Sequence, residues 1–76
     1  MKILVEFSGM AKQHNDGHEK KELDLPEHST NFDALKEFGI SWSDIGFHSV
    51  NEVVKIKEEE LKEGDHIKVF PNAFGG

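Results

Sequence analysis

The 76-residue chain contains no cysteine and no arginine, and each absence closes off some chemistry. Without cysteine there is no disulfide, no thiolate metal ligand and no thiol nucleophile. A small domain without disulfides suits a reducing cytoplasm, which is the compartment expected. Without arginine the chain lacks the side chain best fitted to bidentate base and phosphate contacts. Fifteen carboxylates against nine lysines give a net charge of −6. Phosphate backbones are therefore repelled, and nucleic acid is not expected as a partner. No apolar run approaches the roughly 20 residues of a membrane helix, and no charged-then-apolar leader opens the chain, so no membrane association is expected. Gly9 and Gly17 are isolated and form no phosphate loop, and no serine sits in a G-x-S-x-G elbow. With no acid–base or nucleophile constellation in view, a carrier or binding role is favoured over an independent enzyme.

The residues present describe one small domain. Lys2 to Phe7 is rich in β-formers and short enough for a strand, with Ile3, Val5 and Phe7 on one face and Leu4 and Glu6 on the other. A polar stretch from Lys12 to Lys21 follows, centred on the turn signal Asn15-Asp16-Gly17; it reads as a long hairpin loop or the start of a second strand. Glu19 to Leu25 alternates, with Leu23 and Leu25 inward, and Pro26 ends it. Thr30 and Asp33 form a capping-box pattern, Phe32, Leu35 and Phe38 recur at helical spacing, and Gly39 stands at the C′ position. These predict one short helix over Asn31 to Phe38, too short to be stable without a sheet to pack on.

Beyond the helix, Trp42 reads as a plug at the sheet edge, Ile45 to Ser49 as a short strand, and Val50 to Lys57 as a hairpin or ribbon. Glu58-Glu59-Glu60 reads as a solvated turn. Leu61 anchors a further turn in which Gly64 takes positive φ, and His66 to Phe70 is the last strand, stopped by Pro71. A right-handed crossover places that strand parallel beside the first. The expected fold is α+β, a mixed sheet of four to five strands with one main helix on one face. The expected division is a folded domain over 1–71 and a flexible tail over 72–76.

The five histidines are scattered. His14 and His18 are separated by the Asn15-Asp16-Gly17 turn, so they do not share a helix face. All five read as ordinary solvated histidines, with no metal site and no bound cofactor expected.

The tail Asn72-Ala73-Phe74-Gly75-Gly76 is the informative segment. A carboxylate that must react inside another protein needs a backbone able to thread a narrow channel, and glycine supplies one. Around it, Val50-Asn51, Leu61, Gly64-Asp65-His66-Ile67, Val69-Phe70-Pro71 and Gly75-Gly76 appear in order. This set resembles the C-terminal part of the MoaD/ThiS family of ubiquitin-like sulfur carriers. Phe7-Ser8-Gly9-Met10 and the long first loop resemble its MoaD branch. The family's Asn-Gly turn is Asn51-Glu52 here, its second proline is Asn72, and its small residue before Gly-Gly is Phe74.

The resemblance implies a β-grasp fold and a carrier function. A ubiquitin-activating-type adenylyltransferase would use ATP to adenylate the Gly76 carboxylate, and a sulfur donor protein would convert the adenylate to a thiocarboxylate. The sulfur would go to a cofactor precursor. In the MoaD branch this is molybdopterin, with the molybdopterin synthase large subunit as partner; in the ThiS branch it is the thiamine thiazole, with thiazole synthase. Some relatives are ubiquitin-like modifiers joined to lysines of target proteins, and that is the alternative reading. A non-catalytic interaction module with an inert tail is a further one.

Strand parity locates the expected docking face. If Ile67 and Val69 face the helix, then His66, Lys68 and Phe70 lie on the open face beside Leu4. Phe70, expected to be exposed, and Phe74 are candidate anchors for a partner protein, with Pro71, Leu4 and Lys68 around them. Gly75 serves threading and Gly76 carries the reacting carboxylate.

Overall fold

The computed structural model describes residues 1–40 and 47–71. β1 (Lys2–Phe7) and β2 (Lys20–Asp24) form an antiparallel pair. After α1 (Asn31–Lys36) come β3 (Phe47–Val50), β4 (Val53–Lys55) and β5 (His66–Phe70). The sheet order is β2-β1-β5-β3-β4, with β5 parallel to β1 and antiparallel to β3. The crossover therefore delivers the last strand to the centre of the sheet, parallel beside the first.

Period-two alternation builds the core. Ile3, Val5 and Phe7 of β1 and Ile67 and Val69 of β5 are each no more than 1% exposed. They meet Ala34 and Leu35 of α1, and Ala11, Leu25, Ile40 and Leu61 from the connections, in a single apolar cluster. The Phe38 ring lies edge-on to Phe7 at a centroid distance of 4.8 Å, a favoured geometry for aromatic pairs.

Several details differ from the sequence reading. Gly9–Asn15 is a 3-10 helix that runs into the loop predicted from Lys12, closed by Asp16 in the left-handed region. Ala11 drives its placement, because this residue is buried in the core. α1 stops at Lys36 instead of Phe38, since Glu37, Phe38 and Gly39 donate to carbonyls three residues back and Gly39 takes φ +71°. Such i→i−3 bonds tighten the last turn out of α geometry. The buried face of α1 is Asn31, Ala34 and Leu35, while Phe32 is half-buried. The third strand begins at Phe47, and the expected Trp42 plug and Ile45 strand start lie outside the described residues.

The capping box at Thr30 is present in full: the Asp33 N–H donates to Thr30 Oγ1, and the Thr30 N–H donates to Asp33 Oδ2. Glu58-Glu59-Glu60 is more than a solvated turn. Thr30 Oγ1 donates to Glu58 Oε2 at 2.6 Å, the Asn31 N–H donates to the Glu59 carbonyl at 3.0 Å, and the Leu61 N–H donates to the Ser29 carbonyl at 2.8 Å. The acidic run is thus stitched along the chain entering the helix.

Candidate functional site

β1 and β5 expose their second faces together. Leu4 stands opposite His66 and Glu6 opposite Lys68, which puts Leu4, Glu6, His66, Lys68 and Phe70 on the side away from the core. All five are half-buried. Phe70 is therefore set into the face and not fully exposed as the sequence suggested. Sheet register extends the face outward, to Glu22 and Lys20 of β2 on one side and Ser49 of β3 on the other. Its charges alternate in sign across the strands, from Lys20 to Glu6 to Lys68.

A polar contact lies at the centre of this face. His66 Nε2 is 2.9 Å from Glu6 Oε1. Parity alone places both residues on the open side, but only the parallel β1–β5 register makes them neighbours, so the sequence reading missed the pair. Next to Lys68, Ser49 is 3% exposed, and its hydroxyl has no hydrogen-bond partner among the described residues.

The end of the face leads to the tail. β1 and β5 are still bonded at their ends, where the Ser8 N–H donates to the Val69 carbonyl at 3.0 Å. Phe70 passes directly into Pro71, which is exposed. Gly9 sits alongside with φ +53°, and a Cβ built on it would lie 3.9 Å from Pro71 Cγ. That distance is ordinary van der Waals contact, so the positive φ, not crowding, is what favours glycine there. The structure brings Leu4, Lys68, Phe70 and Pro71 to one face and edge; Phe74, Gly75 and Gly76 lie outside the described residues.

The second site feature is buried. His48, expected to be solvated, is 0% exposed on the core side of β3, opposite Val69 of β5 and Lys55 of β4. Asn31, the first residue of α1, is also 0% exposed, and its Nδ2 lies 2.9 Å from His48 Nε2. Desolvation, with the positive charge of Lys55 adding to it, pushes the His48 pKa below the ordinary histidine range. A helix-initiating asparagine and a strand histidine carry no local signal of burial, so only the packed fold reveals them. Among the described residues no group of three or more histidines or carboxylates is arranged to hold a metal ion. No helix there is long and apolar enough to cross a membrane.

No protein-family model matches the chain, and no curated protein matches it by sequence. Solved structures do match in fold, among them the following two. One is provisionally described as molybdopterin converting factor, subunit 1, of Pyrococcus furiosus: it is 25% identical, the match covers 93% of this chain and 97% of that one, and the TM-score is 0.76. The other is SAMP1 of Haloferax volcanii, 18% identical over 100% of both chains, with a TM-score of 0.78; this second likeness speaks to the fold alone. A five-stranded mixed sheet with its last strand parallel to its first is the β-grasp fold of these small ubiquitin-like proteins, and the chain resembles the MoaD/ThiS family.

Proposed function

We propose that the chain is a sulfur carrier whose reacting group is the carboxylate of Gly76. A single observation carries this reading: β5 occupies the sheet centre, and its end, at Phe70 and Pro71, leads straight into the sequence that finishes Gly75-Gly76. A rigid sheet then acts as the handle for a tail thin enough to enter a partner's active site. The chain supplies the carboxylate and the docking face, and the partners supply catalysis.

The chemistry balances in two steps. A ubiquitin-activating-type adenylyltransferase joins the Gly76 carboxylate to the AMP moiety of ATP, releasing pyrophosphate. Hydrosulfide supplied by the sulfur donor then attacks the acyl carbon and expels AMP, leaving a thiocarboxylate. A carboxylate is a poor electrophile, and the adenylate makes AMP the leaving group. The open face of β1 and β5, with Leu4, Lys68, Phe70 and Pro71, docks the activating enzyme, and Phe74 anchors the tail. The finer assignment is sulfur donation to molybdopterin, supported by the likeness to the Pyrococcus furiosus protein; the thiamine thiazole is the next acceptor.

Intact mass of the protein from its native cells, with mapping of the C-terminal peptide, tests the proposal. Replacement of one Gly76 oxygen by sulfur is the expected result, and reconstitution with the activating enzyme, ATP and a sulfur donor should fail for a chain lacking Gly76. Loading that persists without Gly76 overturns the reading. Gly76 in amide linkage to lysines of other proteins makes the chain a modifier instead.

A further inference from the structure

Asn31 is held by four polar contacts, and together they dictate the protonation of its neighbour. Its Oδ1 accepts from the Glu59 N–H at 2.7 Å, and its Nδ2 donates to the Lys57 carbonyl at 3.1 Å. Its own backbone N–H donates to the Glu59 carbonyl at 3.0 Å. The two backbone groups fix which end of the amide is which: an N–H requires the oxygen, and a carbonyl requires the NH2. The remaining proton of that NH2 points to His48 Nε2 at 2.9 Å, so Nε2 must offer a lone pair. His48 is thereby the neutral imidazole with its proton on Nδ1.

We infer that the junction of the α1 N-terminus, β3 and residues 57–61 is a pH-gated latch, which opens locally when His48 takes up a proton while β1, β2 and β5 stay paired. A proton on Nε2 would face the Asn31 NH2, donor against donor. It would also place a positive charge in a fully buried position. Among the described residues, the groups packed around this position add to that cost. Lys55, opposite on β4, is itself positive and is held by Glu59 at 3.1 Å. β5 contributes apolar Val69, and the carboxylate of the first turn of α1, Asp33, is engaged in the capping box. Releasing Asn31 frees the Glu59 and Leu61 amides that it and Ser29 tie down. It also loosens β3, which is the neighbour of the strand that ends in Phe70.

The sign follows from the direction of the His48 shift. A folded-state pKa below the open-state value favours the neutral form when the latch is closed. The latch is therefore fully effective above the ordinary histidine pKa of about 6.5, and weakens as pH falls from there toward the lowered value.

Two measurements on the full chain decide the matter. Nitrogen-15 NMR of the histidine rings at pH 7.5 should show His48 neutral with Nδ1 protonated; an Nε2–H tautomer or a charged ring overturns the inference. Amide hydrogen exchange, corrected for intrinsic rates, should show Asn31, Glu59 and Leu61 opening with a weak urea dependence, apart from Leu4 and Ser8, which follow complete unfolding. That local opening should rise roughly tenfold per pH unit below about 6.5 until the folded pKa is reached. His48→Gln, which keeps an acceptor for Asn31 but does not titrate, should remove the slope. The latch is refuted if the three amides exchange only with Leu4 and Ser8, or if their opening does not change with pH. Should His48→Gln fail to fold, the native protein's tautomer and exchange profile still decide.

Discussion

The two halves of the sheet are held by different forces. At β1 and β5, alternate residues disappear into an apolar core and no titratable side chain faces inward. At β3 and β4 the inward positions include a buried histidine tied to a buried asparagine, while Val53, Val54 and Ile56 are 58%, 54% and 81% exposed. One half is stabilised by area removed from water, which is non-directional and insensitive to pH. The other depends on hydrogen bonds with fixed donor and acceptor roles, which a single proton can reverse. The contrast shows how a domain too small for a large core can still be ordered at its flank.

Three substitutions would break or sharpen this division. Phe7→Ala, in the apolar half, should cost most, about 3–5 kcal/mol, because a fully buried ring and its edge contact with Phe38 are lost. Urea denaturation reads this directly, and a loss below about 1 kcal/mol would mean that the centre is not the principal source of stability. Asn31→Ala should cost about 2–3 kcal/mol, since it leaves the Glu59 N–H and the Lys57 carbonyl without their buried partner. Its cost should fall as the pH is lowered toward 5, where the latch is already weakened; a pH-independent cost would sever Asn31 from His48. Glu52→Gly is the smallest effect and goes the other way. Asn51 and Glu52 form the two-residue β3–β4 turn with φ of +51° and +70°, and glycine at the second position removes the strain of a side chain in the left-handed region. A gain of about 0.5 kcal/mol in thermal or urea unfolding is expected, and a loss would show that the glutamate makes a contact worth more than the strain.

The same division decides what could be read from the sequence. Lys2–Phe7 and His66–Phe70 are strands whose period-two pattern and stop signals are local, and their bounds agree with the structure. The capping box at Thr30 and Asp33 is a four-residue signal and was equally legible. The parallel pairing of first and last strands followed from connection handedness, and with it the open-face positions of Leu4, Lys68 and Phe70. The buried polar flank was not legible, because its partners are far apart in the chain: Asn31 meets His48 and Glu59 only after α1, β3 and the acidic run are folded together. The Glu6–His66 contact spans 60 residues and depends on register in the same way. Ala11, just before the stretch read as polar loop, shows that one small apolar residue can seat a 3-10 turn without any periodic pattern.

The parallel alignment of β1 and β5 also governs how the domain carries mechanical load. Because the two strands run the same way, the start of β1 and the end of β5 lie at opposite ends of the pair. Tension applied between Met1 and Pro71 is directed along the strands and must shear their bonds together, from Leu4–Asp65 to Ser8–Val69, instead of opening them one at a time. A pull on the chain beyond Pro71 that is resisted at Met1 therefore loads these bonds side by side, the arrangement that shares the force among them.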